Sequence, residues 1–236
     1  MREKREVLRR LIALVCYIDR TALENEVIQG KMYSLNVRET QRRTILSWLE
    51  KVDYFRYLTE LEQQHFLQKI SLSPDKNIIS NIGSIYSVES LLWALGLRKK
   101  LEFTLLDFSG DYHEGLSIGR NYNELNVLNR LTLRSKQEIK YKLEQAIVIN
   151  WRTLTKLGAI DTNIKNFLVD NLYISRENPF IVYDKTSRSD VILLEKDIDS
   201  LSKVQRNMLN TKSSYYQIAL EWIISNLSWD EISADS

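Results

Sequence analysis

Apolar residues recur at helical spacing from the first turns of the chain. Val7, Leu11, Leu14, Val15, Ile18 and Ala22 form one stripe, and Leu8 and Ile12 widen it. The spacing predicts a helix over residues 2 to 28, packed by several neighbours, with Gly30 as its stop. A second helix is expected from Val37 to Val52. Val37, Ile45, Leu46, Trp48 and Leu49 make its apolar face, and Arg38, Arg42 and Arg43 its polar one. Thr59 followed by Glu62 is a capping box, in which the hydroxyl accepts from a free backbone N–H while the glutamate reaches back, so a third helix begins there. Ser71-Leu72-Ser73-Pro74 closes that helix and opens the next, with proline at a favoured first-turn position.

Residues 75 to 95 read as a helix interrupted at Gly83. Its second half, from Val88 to Leu95, is almost wholly apolar and is expected to be the most buried helix, closed by a left-handed Gly96. Periodicity then fails. Ser109, Gly110, Asp111, Gly115 and Gly119 mark residues 103 to 120 as a long loop, the kind of segment that borders a site. A short helix follows from Tyr122 to Asn129. Ser135 and Glu138 form a second capping box, and a helix runs from there to Leu157, before Gly158. Ile139, Leu143, Ala146, Ile147, Asn150, Trp151 and Leu154 share one of its faces. After a short helix near 162 to 170, the β-prone runs 171 to 175 and 180 to 183 flank Arg176-Glu177-Asn178-Pro179, which predicts a small β-hairpin near residues 171–183. A last helix spans about 199 to 226 and leads to a tail from Ser228 to Ser236. The expected fold is mainly α: one helical domain over 1–236 with that hairpin.

Composition narrows the class. Hydrophobic residues are 44% of the chain and charged residues 27%, which supplies a core and excludes disorder throughout. Seven glycines and two prolines are few for a sheet protein of 236 residues and favour helices joined by short loops. The 33 basic and 31 acidic residues are interspersed, so the net charge of +2 points to no polyanion partner. Cys16 is the single cysteine, so no intrachain disulfide forms and nothing suggests an oxidising compartment. The start, MREKREVLRR followed by LIALVCYI, imitates a secretion signal. Its apolar run is only eight residues, Glu3 and Glu6 stand in the charged part, and no small-residue cleavage site follows. An amphipathic helix is expected instead. With no run of ~20 apolar residues for a membrane span, the expected location is the cytoplasm.

Catalytic signatures are sparse. His65 and His113 lie far apart and outside any metal-ligand spacing, and His113-Glu114 is the only suggestive neighbour pair. Ser117-Ile118-Gly119 imitates a nucleophile elbow poorly. Cys16 falls in the apolar stripe, where a buried, inert thiol is expected. No phosphate-binding glycine loop occurs, and neither a metal nor another cofactor is implied. Glu89, Arg134, Asn150, Arg152 and Glu221 stand beside large apolar residues, and a charge near a core must be paired. They form either a network that fixes helix register or a polar pocket, with Glu89, Arg134, Arg152 and Glu221 as its candidates. Of the five tryptophans, Trp48, Trp93, Trp151 and Trp222 read as core. Trp229, before the acidic Asp230 and Glu231, reads as tail packing or as a partner anchor.

Four stretches carry a resemblance. They are Leu8-Arg9-Arg10-Leu11-Ile12-Ala13-Leu14 through Arg20-Thr21-Ala22-Leu23-Glu24; Glu89 to Gly96; Leu133-Arg134-Ser135 with Glu138-Ile139 and Asn150-Trp151-Arg152; and Ala219-Leu220-Glu221-Trp222 with Trp229 to Ser233. In order and spacing they resemble the bacterial proteins grouped as domain of unknown function 4272, over nearly the whole chain. Two departures stand out. The family tends to carry Trp-Arg where this chain has Tyr86 and Ser87, and Glu-Arg where it has Tyr215 and Tyr216. Chemistry done by those charged residues would be lost here. The resemblance implies a helical domain and no particular activity.

The leading functional expectation is a non-enzymatic accessory or immunity-type factor that binds another protein, with Trp229 and Asp230 as the candidate contact. The alternative is an enzyme whose carboxylate and arginine pocket acts on a small molecule. Nucleic-acid binding through Arg38, Arg42 and Arg43 is the weakest of the three readings.

Overall fold

The widest apolar stripe in the sequence becomes the centre of the fold. In the computed structural model, which describes residues 1–28, 34–70, 83–103, 111–154, 192–193, 196–197 and 201–234, helix α1 spans Lys4–Ile28. Every residue from Val7 to Cys16 that is apolar is at most 1% exposed, so neighbours enclose α1 on most sides here. Then follow α2 (Leu35–Lys51), a 3-10 turn (Phe55–Tyr57), α3 (Glu60–Leu67), α4 (Ser84–Ala94), α5 (Glu124–Leu128), α6 (Lys136–Leu154), α7 (Lys203–Ile224) and α8 (Trp229–Ala234). Helix α7 packs against α6, α4 and α8, while α1 packs against α4 and α2. One apolar cluster runs through these helices from Val7 to Ile232.

Local chemistry sets the helix ends. Thr59 and Glu62 close a reciprocal capping box at α3, and Ser202 and Gln205 do so at α7. Ser135 accepts from the Glu138 N–H at 3.2 Å and returns its own N–H to that carboxylate at 3.0 Å. Helix α4 is the expected apolar helix, with Val88, Leu91, Leu92, Trp93 and Ala94 all buried. It ends at Gly96, whose φ is +77°. Gly96 N–H donates to Trp93 O at 3.0 Å and Leu97 N–H to Leu92 O at 2.9 Å, the paired bonds of a Schellman turn. At the other end of α4, a Cβ on Gly83 would come within 2.1 Å of the Tyr215 ring, so glycine permits that close approach to α7.

Three expectations need correction. The hairpin near residues 171–183 is not borne out. That segment lies outside the described residues, where the one strand pairing is a two-residue antiparallel contact of Ile192–Leu193 with Lys196–Asp197. Strand preference depends on cross-strand neighbours as much as on residue type, and the fold is mainly α. On α2, Leu49 is buried, Ile45, Leu46 and Trp48 pack on the core and Arg43 is exposed, as expected, but Arg38 and Arg42 are buried and Val37 is exposed, against expectation. The cause is the end of α3: Arg42 Nη1 donates to Phe66 O at 2.6 Å while Glu39 holds the rest of its guanidinium. Helix α3 also stops at Leu67, before the expected Ser71–Pro74 boundary. The expected elements at 71–82 and 162–170 lie outside the described residues.

Candidate functional site

Helix α4 turns Glu89 toward α7. The Tyr216 hydroxyl donates to Glu89 Oε2, and Lys212 Nζ lies 3.8 Å from the same oxygen. Residues 212 and 216 are one turn apart on α7, so both side chains reach the same place. The Lys212 side chain is 4% exposed, and its ammonium sits 5.5 and 5.6 Å from the Tyr86 and Tyr216 ring centres. Phe103 meets Tyr216 edge-on at 5.2 Å. Burial pushes the Tyr216 phenol well above its ordinary range, and the Glu89 charge adds to this, so the phenol stays a donor. The two departures from the resemblance meet here. Tyr86 packs edge-on against Tyr216 at 6.4 Å, and Ser87 Oγ donates to Tyr215 O at 3.1 Å.

Arg134, Arg152 and Glu221 are not among the partners of Glu89. Arg134 clamps the end of α4. Its Nε donates to Trp93 O at 2.9 Å and its Nη2 to Arg98 O and Lys99 O at 3.2 and 3.3 Å. Its guanidinium lies 4.8 Å above the Trp93 ring, and Glu138 accepts from its Nη1 at 3.1 Å. This is a cation satisfying helix C-terminal carbonyls. Arg152 is buried on α6 and Glu221 half-buried on α7. Asn150 ties these two helices: its side chain donates to Gln217 at 3.1 Å and accepts from Asn210 at 2.8 Å and Ser214 at 3.0 Å. The sequence reading missed Lys212 and Tyr216. Their spacing on one helix face was the available signal.

The histidines have unexpected company. His65 sits in a sealed cluster with Tyr17, Arg20 and Glu24, all at most 5% exposed. Its Nδ1 is 3.2 Å from the Tyr17 hydroxyl. Arg20 Nη2 donates to Glu24 at 2.9 Å and to Gln68 O at 3.2 Å. In the irregular segment, His113 Nε2 and the Tyr112 hydroxyl both lie 3.1 Å from Asp19 Oδ1. Cys16, one turn earlier on α1, is 1% exposed. Burial drives its thiol far above the ordinary range, which makes it inert. Among the described residues no group of three or more His, Cys, Asp or Glu could hold a metal ion, and no helix is long and apolar enough to cross a membrane.

A cleft of about 460 Å³ opens where the start of α1, the turn from Arg56 to Thr59 and the α7–α8 corner meet. The tail forms α8, because Ser228 and Glu231 cap it: Ser228 N–H donates to Glu231 Oε2 at 2.6 Å. That turn packs Trp229 against Trp222 with ring centres 5.5 Å apart. Each indole carries an arginine on its face, Arg2 at 4.3 Å from Trp222 and Arg10 at 4.1 Å from Trp229. Glu62 and Tyr57 O anchor Arg10, while Glu6, Trp222 O and Leu227 O anchor Arg2. Trp229 is therefore half-buried in the cleft wall, with the exposed Asp230 beside it.

No curated protein and no solved structure matches the chain. The model of one family, described as Domain of unknown function (DUF4272), matches residues 1–178. That stretch covers α1 to α6 and includes Glu89, Arg134 and the Arg10 side of the cleft, and by it the chain belongs to the DUF4272 family.

Proposed function

We propose that this chain is a non-enzymatic, cytoplasmic accessory protein that holds a segment of a partner protein in the corner cleft. The observation that carries the reading is the pair of arginine–tryptophan stacks lining an open cavity. Tryptophan and arginine are the side chains most enriched at binding hot spots. Here internal hydrogen bonds hold the two arginines, and the rings stack on them, before any ligand arrives, which lowers the ordering cost of binding. The apolar cluster running from Val7 to Ile232 supports treating the chain as one helical domain behind this cleft.

The test uses residues exposed at the cleft, so that the core is left alone. Arg56→Glu and Asp230→Lys are compared with Lys136→Glu, an exposed change on α6, in capture from native lysate after nuclease treatment. A stoichiometric protein retained by the wild type and by Lys136→Glu, and lost from both cleft variants, supports the reading. Equal retention by all four chains, or no retained protein, overturns it.

A second reading keeps the enzyme alternative at Glu89, because a carboxylate, a phenol and an ammonium converge there. It expects a small molecule that raises the melting temperature of the wild type and not of Glu89→Gln. A ligand screen in which every hit acts equally on both chains removes it.

A further inference from the structure

We propose that the corner cleft holds an uncharged, proline-rich stretch of the partner segment in the polyproline II conformation, with the indole N–H groups of Trp222 and Trp229 donating to its backbone carbonyls; this rests on the reading of the cleft as a protein-docking site. The charges of the lining are satisfied inside the chain. Arg2 pairs with Glu6, Arg10 with Glu62 at 2.6 Å and Arg56 with Asp53 at 2.9 Å. Glu231 accepts from the Ser228 N–H, and Asp230 is not free either. A charged ligand would have to break one of these pairs or stay unpaired itself. What the cleft has left to offer is aromatic surface and two neutral donors. Trp222 and Trp229 both line it, and neither Nε1 has an acceptor among the described residues, whereas that of Trp48 donates to Gly119 O at 3.0 Å. Trp222 is only 5% exposed, yet its Nε1 is not one of the sealed donors without a partner, so the part of the residue that stays open includes it.

The walls decide the backbone conformation of the ligand. They come from the start of α1, the turn from Arg56 to Thr59 and the α7–α8 corner, so the described walls carry no strand edge for a peptide to extend. A helical peptide keeps its carbonyls in its own hydrogen bonds and leaves the indoles without acceptors. A polyproline II segment has no internal hydrogen bonds, so every carbonyl is available. Proline adds two advantages. It has no N–H to bury without an acceptor in a cleft whose carboxylates are engaged. Its fixed φ lowers the ordering cost of docking. Tyr57 and Trp229, the half-buried aromatic residues of the lining, supply the apolar sides, as aromatic grooves do for proline-rich ligands.

The test selects peptides on the full chain from a display library of short random sequences, and the selected peptides are synthesised with both ends capped. They are expected to share prolines in P-x-x-P spacing and to need no charged side chain. Binding is followed by the indole N–H signals in a proton–nitrogen correlation spectrum, each assigned by a single Trp→Phe variant. The signals of Trp222 and Trp229 are expected to shift, while those of Trp48, Trp93 and Trp151 stay in place. Added salt leaves the affinity unchanged, and replacing the prolines by alanine weakens it. Trp229→Phe keeps a ring, lacks the donor and weakens the peptide roughly fivefold; if it does not fold, the wild-type spectra and the alanine peptides carry the test. Peptides that need an acidic or basic side chain, or bind as well without their prolines, overturn the proline-rich ligand and leave the docking site standing. Peptides that move neither the Trp222 nor the Trp229 signal, or no binders at all, overturn the docking site itself.

Discussion

His65 Nε2 lies 3.3 Å from Glu24 Oε2, and both side chains are nearly closed to solvent. The pair joins α1 to the end of α3, with Arg20 donating to the other Glu24 oxygen. Removing one member leaves buried charge uncompensated. Glu24→Gln is expected to lower the unfolding free energy by about 3–5 kcal/mol, read as a fall in the urea midpoint at an unchanged slope. A midpoint within error of the wild type would show that the cluster is not sealed.

Acid should unfold the α2–α3 junction through Glu39. Hydrogen bonding from Arg42 lowers this carboxylate from 4.5 to about 2; burial opposes the shift, while Arg43 and the Ile70 N–H reinforce it. A depressed carboxylate contributes stability that is present above the unfolded value and is lost as pH falls through the folded one. The stability of Glu39→Gln should therefore vary less than that of the wild type between pH 4.5 and pH 2. Parallel pH curves for the two chains would contradict this.

His113 works in the opposite sense. The hydrogen bond to Asp19 raises its imidazole above 6.5, against a smaller effect of burial. A raised base contributes stability that is full below the unfolded value and fades as pH rises through the folded one. Docking of residues 111–120 onto α1 should loosen as pH rises above 6.5 and through the folded value. Amide exchange of this segment, compared with His113→Gln, is the measurement. The variant is expected to show no such step.

Cys16 should resist thiol reagents in the native state. At 1% exposure and with its thiol pushed upward by burial, it presents no thiolate to attack. Labelling by a disulfide reagent is expected to follow unfolding across a denaturant series. Fast labelling in buffer would place the thiol outside the core.

The helical frame was legible where one short-range interaction decides the structure. The Thr59–Glu62 and Ser135–Glu138 boxes, the Gly96 turn and the α1 stripe depend on neighbours a few residues apart. The same Ser-x-x-Glu signal stands at Ser228 and Glu231. What the pattern could not supply were long-range pairings. Arg42 is buried because Phe66 O, 24 residues away, needs a donor. Lys212 is buried because Glu89 lies opposite on another helix. Binary patterning assigns any arginine or lysine to the surface, so burial of these cations is invisible until their partners are placed. Of the site candidates, Trp229 and Asp230 do share one cleft, whereas Glu89 and Arg134 serve different parts of α4.

Arg2 carries a consequence for how the chain is made. Its Nε donates to Trp222 O at 2.8 Å across 220 residues of sequence, and its own N–H donates to Ile223 O at 2.8 Å. Closing so long a loop costs little more free energy than closing a shorter one, but it comes late. During synthesis the apolar stripe of α1 leaves the ribosome well before α7 does. Until then that stripe lacks part of its cover and is open to association with other nascent chains. The yield of native protein should therefore depend more on elongation rate and chaperone supply than its equilibrium stability would suggest.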